Sequence, residues 1–495
     1  MTERPNILLI VTDHFRADLL DGALQGSVPL PNLTALAAQS VMLRRHFSVT
    51  TPCGPSRVSL LTGQYAMNHR AVRNGTPLRH DTPNVARSLR EAGYDPLLFG
   101  YTDVAQDPRV LPAGDPRLES YEEVLPGFTE VVRMRQETDD RVWRDHLRAR
   151  GYEVPDGTAL YRPTGERISD PAIYGAEDSD TAFLTDRFLE HMDGVADGFC
   201  AMLAYIRPHP PFVAPSPWNT LVDPALIPAP LAMQGNALHP YVAALQHTKP
   251  AASTVEGFPD LRATPEIVQE LRAVFLGLCA EVDFHVGRVI DWLKGSGRWD
   301  NTLVLFTADH GEMLGDYGLW GKGTFHDAAF HVPLLAHVPG AAPRTIDAMT
   351  ESIDLAPTIL DWAGCQVPHS MDGESLLALI RTGEGGRTTT FSEHDFGNPI
   401  SPSAQQRVLG LPADRANLAV LRTKTHRLVH FAGPLPQILY DMTADGEARD
   451  VASNAGGDSI CLDLSRQMLC HRMVHPEGTF ARTMVIDGGV RIATD

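Results

Sequence analysis

Three apolar runs, at residues 7–11, 199–206 and 303–306, each end within a few positions of a residue able to do chemistry: Asp13, His209 and Asp309. Continuous apolar runs of this length suit strands buried on both faces, the kind found in parallel sheets covered by helices. Helical patterns separate them. Residues 31–40 place Leu33, Leu36 and Ala37 on one face, residues 82–91 stop at Gly93 ahead of a strand at 96–99, and residues 265–294 carry an apolar stripe from Ile267 to Leu293. Thr264 suits the cap of that long helix, Pro265 its first position and Gly295 its end. The alternation predicts an α/β fold with a large, mostly parallel sheet sandwiched by helices. Ligands bind at the carboxyl edge of such sheets, and all three residues fall there.

A chain of 495 residues can bury a large core and has room for two or three domains. A net charge of −19 excludes nucleic acid and an anionic membrane surface as main partners, since both are bound through Lys and Arg neutralising phosphate. No run of eighteen apolar residues is present, and the apolar run at residues 6–11 is too short for a secretion signal. Setting Cys53 aside leaves Cys200, Cys279, Cys365, Cys461 and Cys470, an odd number without Cys-x-x-Cys spacing, which reads as mostly buried thiols rather than a disulfide framework. These features predict a soluble, cytoplasmic protein.

Residues 111–155 are charged, with a helical pattern at 133–150 that reads as a solvated face or an insertion. Residues 216–261 are rich in Pro, Ala and His without clear periodicity, an insertion that could line a site or meet another subunit. Residues 353–362 and 375–380 read as helices. From about residue 391 the character changes to short strands at 418–421 and 427–431, a turn opening at Leu439 and a helix at 459–470. The expected division is a catalytic α/β domain over 1–385, including the 216–261 insertion, and a smaller C-terminal α+β subdomain over 386–495 packed on it.

The candidate chemistry has two readings at most positions. Asp13 could ligate a metal or cap the segment beginning at Phe15, and His209, held in extended backbone by prolines on both sides, could be catalytic or structural. Asn74 sits in the turn-rich loop 73–78, either as a turn former or as a donor to a substrate oxygen. Asp309 and His310 could share one metal, with Lys322 on a Gly-rich loop meeting an anion; the alternative is a polar loop with a surface lysine. His326, Asp327, His331 and His337 receive no role. The densest stretch is 51–63. There Pro52 and Pro55 disfavour preceding helix and residues 56–61 can begin one, so Cys53 is expected just ahead of a helix N-terminus with Arg57 nearby.

Cys53-x-Pro55-Ser56-Arg57-x-x-x-Leu61-Thr62-Gly63 matches the sulfatase signature at every fixed position. The chain resembles the formylglycine-dependent sulfatases of the alkaline phosphatase superfamily, and the likeness continues through residues 352–360, 372–377 and 439–441. The resemblance implies that a formylglycine-generating enzyme oxidises Cys53 to formylglycine, whose hydrate is the nucleophile. Ordinary sulfatases carry an aspartate pair after the first strand, whereas this chain has Asp13-His14. Fewer carboxylates and an imidazole at His310 favour manganese, zinc or iron, with calcium as the alternative.

That departure, with the 73–78 loop, residues 207–212 and Gly321-Lys322, resembles the phosphonate monoester hydrolase branch. The resemblance implies one divalent metal held by Asp13, modified Cys53, Asp309 and His310. It implies substrate or leaving-group contacts by Arg57, Asn74, Tyr101, His209 and Lys322, with His14 at a non-ligand position. Asp103 falls where the branch tends to have a hydroxyl. The expected activity is hydrolysis of small anionic esters, phosphonate monoesters and phosphodiesters, with promiscuous hydrolysis of sulfate esters. An arylsulfatase on the same site and a non-catalytic binder of sulfate or phosphate esters are the alternatives. A homo-oligomer, dimer or tetramer, is expected.

Overall fold

A computed structural model describes residues 4–135, 137–234, 238–478, 483–487 and 489–492. In chain order its strands are β1 (Asn6–Thr12), β2 (Val41–Phe47), β3 (Thr50–Thr51), β4 (Pro96–Gly100), β5 (Thr129–Arg133), β6 (Cys200–Tyr205) and β7 (Thr302–Ala308). They continue with β8 (Leu334–His337), β9 (Arg344–Glu351), β10 (Thr390–Asp395), β11 (Asn417–Arg422), β12 (His426–Phe431) and β13 (Ile438–Asp441). A separate hairpin pairs β14 (Thr483–Ile486) with β15 (Gly489–Ile492).

The main sheet has eight strands in the order β5-β4-β6-β1-β7-β8-β2-β9. β8 runs antiparallel to β7 and β2, and every other neighbouring pair is parallel. The α/β fold and mostly parallel sheet are therefore as expected. β1, β6 and β7 are buried at every position, which is why their sequences are apolar without alternation. Their register places Thr12 level with Tyr205 on one side and Ala308 on the other. The residues that follow all three strands consequently emerge at one edge.

Helices flank the sheet. Pro265–Gly295 starts where the Thr264 side chain accepts from the Ile267 N–H, and it packs against Asp180–Met192 and Pro31–Ala37. The Asp283 carboxylate on the long helix accepts from the Leu33 N–H at 2.6 Å and the Asn32 N–H at 3.2 Å, satisfying the first turn of the short one. A second group, Cys53–Thr62, Val85–Glu91 and Leu355–Trp362, packs together.

Several local expectations need correction. The 133–150 region is helical only over Arg141–Ala149, and it is preceded by the edge strand β5. Leu439 lies within β13 rather than opening a turn, because Ile438–Asp441 pairs with β12. The 216–261 insertion contains the helix Pro240–Thr248 and short 3-10 turns at Trp218–Thr220, Pro224–Leu226 and Ala251–Thr254. Residues 235–237 of that insertion lie outside the described residues.

The second sheet has the order β13-β12-β11-β10-β3. Its last member comes from the N-terminal part of the chain: Thr50 and Thr51 pair in parallel with Glu393 and His394. The strand that leads directly into Cys53 is thus held by the C-terminal sheet.

Candidate active site

Cys53 is the first residue of the helix Cys53–Thr62, with Pro52 as its cap, so it sits on the helix rather than ahead of it. Every residue of this helix is buried. Three groups converge on Cys53 Sγ: Lys322 Nζ at 2.8 Å, His310 Nε2 at 3.3 Å and Asp13 Oδ1 at 3.8 Å. Burial and the Asp13 charge push the thiol well above the ordinary cysteine value.

Asp13 and Asp309 follow β1 and β7, and the Asp309 N–H donates to Thr12 O at 3.1 Å across the two strands. Both carboxylates are fully buried. Arg57, one turn along the Cys53 helix, joins them: Nε donates to Asp309 Oδ2 at 2.9 Å and Nη2 to Asp13 Oδ2 at 3.3 Å. Its Nη2 also reaches the Tyr101 hydroxyl at 2.9 Å, and that hydroxyl donates to Asp13 Oδ2. Arg57 has no exposed surface, so it braces the carboxylates from below. Burial alone would raise both acids. Lys322, His209, His310 and Arg57 hold Asp13 well below the usual carboxylate range, while burial and the Asp13 charge push Asp309 up to about 7.

His310 Nδ1 faces Gly311 O at 3.0 Å; donation there leaves an Nε2 lone pair aimed at Cys53 and Asp13. Gly311 is required by close packing, since a Cβ would lie 2.1 Å from Ala328 O. One ligand atom from each of Asp13, Cys53, Asp309 and His310 lies within 4.8 Å of the others. Two buried carboxylates, an imidazole lone pair and the residue 53 substituent fit a divalent cation, whose charge would relieve the repulsion that raises Asp309.

Lys322 stands on the Gly321-Lys322-Gly323 loop and donates to His14 Nε2 at 2.8 Å as well as to Cys53. His14 Nδ1 lies 2.7 Å from Glu312 Oε2, and Glu312 Oε1 accepts from the Leu314 and Gly321 N–H groups at 3.1 and 2.5 Å. Glu312, His14, Lys322 and Cys53 therefore form one chain of contacts. Sequence reasoning assigned no role to His14 and missed Glu312. The only signal was the position of Glu312 three residues after Asp309.

His209 closes a turn over residues 206–209, its N–H donating to Ile206 O at 3.0 Å. The buried Arg207 guanidinium shapes that turn by donating to His209 O at 3.1 Å and Pro211 O at 3.0 Å while pairing with Asp180 at 2.9 Å. Burial and Lys322 lower the His209 ring to about 3. Its edge meets His14, with ring centroids 4.6 Å apart.

Asn74 reaches the site, where its Oδ1 accepts from the Gly54 N–H at 3.1 Å. Asp103 packs on the same glycine with a left-handed backbone (φ 57°) and a buried Oδ1 that has no hydrogen-bond partner among the described residues. Above them opens a cavity of about 1050 Å³ floored by Cys53, His14, Asn74, His209 and Lys322. Its walls come from Arg141, Arg144 and Tyr161, from Lys249 and Ser253 of the insertion, and from His394 on β10 and Phe396 just after it.

A mostly parallel sheet of this form, with buried acids and an imidazole around a helix-borne Cys, defines a hydrolase fold of the alkaline phosphatase superfamily. The family model described as Sulfatase matches residues 5–365, and that described as N-sulphoglucosamine sulphohydrolase, C-terminal, matches residues 315–473. The chain belongs to the sulfatase family. It is 35% identical to the multifunctional alkaline phosphatase superfamily protein PehA of Trinickia caryophylli, covering 96% of each chain. It is 28% identical to the choline-sulfatase of Rhizobium meliloti, covering 94% of this chain and 86% of that one. The phosphonate monoester hydrolase of Silicibacter pomeroyi superposes with a TM-score of 0.96 at 49% identity over 99% of each chain. That of Agrobacterium radiobacter superposes at 0.93 and 37% identity, over 99% of this chain and all of that one.

Proposed function

We propose that this chain is a metal- and formylglycine-dependent hydrolase of phosphonate monoesters and phosphodiesters that also cleaves sulfate esters. The observation that carries the reading is the full-length likeness, at 49% and 37% identity, to two phosphonate monoester hydrolases. The site is consistent with it: where a second aspartate would follow Asp13, His14 is engaged by Glu312 and Lys322.

In this reading Asp13, Asp309, His310 and residue 53 hold one divalent metal, with manganese, zinc or iron suiting the mixed oxygen and nitrogen donors better than calcium. When bound, the metal supplies charge that polarises a substrate oxygen and favours an ionised nucleophile. Cys53 matured by a formylglycine-generating enzyme supplies an aldehyde hydrate: one hydroxyl attacks phosphorus or sulfur and expels the alcohol, and deprotonation of the other then releases the acid and restores the aldehyde.

The remaining residues orient and neutralise. Lys322 and Asn74 meet the non-bridging oxygens of a small anionic ester, and Arg57 and Tyr101 hold the acid pair in place beneath it. His209 is neutral on its own charges, but an anionic ester lying against Lys322 screens that lysine and favours the protonated ring, which then donates to the departing oxygen. The reading also includes a cytoplasmic location and a dimer or tetramer. Among the described residues no helix is long and apolar enough to cross a membrane.

The test is kcat/KM on matched aryl phosphonate monoesters, phosphodiesters and sulfate esters with defined metals. The phosphonate and diester substrates should be preferred. A large preference for sulfate would establish an arylsulfatase instead, and wholly unoxidised Cys53 in protein from its native host, read by peptide mass, would favour a binder.

A further inference from the structure

The cavity that holds Lys322 carries a second lysine that the chemistry above does not use. Lys249 caps the C-terminus of the helix Pro240–Thr248, its N–H donating to Leu245 O at 2.9 Å. Pro250 behind it restricts its backbone (φ −129°, ψ 75°). The next turn, Ala251–Thr254, is tied to the His209 segment by the Phe212 N–H, which donates to Thr254 O at 2.6 Å. Lys249 is thereby held on the same cavity as Cys53, Asn74, His209 and Lys322.

Its ammonium makes no hydrogen bond or ion pair among the described residues, in contrast to the arginines of that cavity. Arg73 pairs with Asp395, Arg141 with Asp139, Arg144 with Asp140 and Arg148 with Asp145. The acids whose charge reaches Lys249 are Glu312 and Glu137. Glu312 is committed to His14 and two backbone N–H groups, and Glu137 accepts from the Tyr121 hydroxyl. Lys249 is solvent-exposed where it lines the cavity; partial desolvation of its ammonium there and, as the strongest charge acting on it, the like charge of Lys322 lower its pKa. Two ammonium groups on one cavity repel until an anion lies near both. Lys322 is placed for the ester under attack, 2.8 Å from Cys53 Sγ, so Lys249 is left for another charge.

We propose that Lys249 is a recognition site for a second anionic group, a carboxylate or phosphate, carried on the organic part of the ester. The inference rests on the ester-hydrolase reading and narrows its substrates to esters with an additional negative charge. A lysine at a helix C-terminus is also favoured by the helix dipole, so the structural alternative must be separable.

The test compares the matured wild type with Lys249→Met and Lys249→Arg on 4-carboxyphenyl and 4-carbamoylphenyl phosphonate esters, which differ in charge but little in shape. Lys249→Met should lower kcat/KM for the carboxylate ester by about three- to tenfold, mainly through KM. It should leave the carbamoyl ester unchanged, and Lys249→Arg should restore the preference. An equal loss on both esters, or no loss on either, overturns the proposal. Matched aryl sulfates separate the two readings: turnover of sulfates alone defeats the phosphonate assignment, while the charge comparison on them still decides Lys249. Without turnover, calorimetric Kd values for 4-carboxybenzylphosphonate and 4-carbamoylbenzylphosphonate decide it. The carboxylate should then bind more tightly than the amide to the wild type, and Lys249→Met should abolish the difference; equal binding of the two by the wild type overturns the proposal.

Discussion

Arg57 has a carboxylate on either side and a tyrosine beneath it, and none of its surface meets solvent. Replacing it by Met removes the guanidinium that pairs with both Asp13 and Asp309 and leaves their repulsion opposed chiefly by Lys322, a change that costs about 3–5 kcal/mol where a buried pair is broken. Lys in its place keeps the charge but not the planar fork that meets both acids, so Arg57→Lys should also be destabilised. Urea unfolding of the metal-free proteins reads both, and a change under about 1 kcal/mol in Arg57→Met would show that the acids are not ionised together. His14 presents a subtler case. Its Nε2 accepts from Lys322 while Glu312 holds its other nitrogen, which places it to orient the lysine toward residue 53. A glutamine can accept through its amide oxygen and a leucine cannot. His14→Gln should therefore retain at least about tenfold more kcat than His14→Leu, with KM changing less than kcat. Equal loss in the two variants would mean that packing, not the hydrogen bond, is what matters at this position.

At the scale of elements, β1, β6 and β7 were legible because burial on both faces leaves an unbroken apolar signature. β2 was not, since Val41–Phe47 includes Arg44, Arg45 and His46 and its identity as a strand depends on β8 and β9 beside it. β3 has only two residues and exists because β10, more than three hundred residues later, pairs with it. The same distinction governs the site. Asp13 and Asp309 could be read as partners because each ends a strand, but the His14–Glu312 contact joins positions 298 apart through a loop whose path no local pattern reveals. The β3–β10 pairing yields a prediction about autonomy. A chain ending at residue 385 keeps all the proposed metal ligands and substrate contacts, yet loses the strand that anchors Thr50 and Thr51 immediately before Pro52-Cys53. It should be insoluble or, if soluble, lack turnover and show a lowered Tm. An active, stable truncation would show that the helix Cys53–Thr62 positions residue 53 unaided.

For the molecule as a whole, lowering the pH sets two effects against each other. The net charge of −19 diminishes toward the sequence pI of about 5.5, which relieves self-repulsion and favours the folded state. Against this, His46, His69 and His326 are buried, and burial lowers each to about 3 in the fold. Below the ordinary value of 6.5 the unfolded chain takes up protons at these rings that the fold refuses until about pH 3. Stability from these histidines is therefore complete above 6.5 and lost as pH falls, at about 1.4 kcal/mol per pH unit for each ring once its unfolded form is protonated. Three rings acting together give about 4 kcal/mol per unit. Asp309 and Glu281, raised to about 7 and about 8, take up protons in the fold first and oppose this by about 1.4 kcal/mol per unit each. The charge term is spread over a large surface and screened by salt. The histidine effect should dominate, so urea unfolding should show stability falling from about pH 6.5 to about pH 5 although the molecule is approaching its pI. His326 stacks on Phe325 and Tyr317, with centroids 4.3 and 4.8 Å away, so phenylalanine can occupy its place. His326→Phe should flatten the acid slope by about one proton while costing some stability at neutral pH through loss of the Thr324 contact. An unchanged slope would mean that His326 is protonated in the fold over the same range, and that its burial does not govern acid stability.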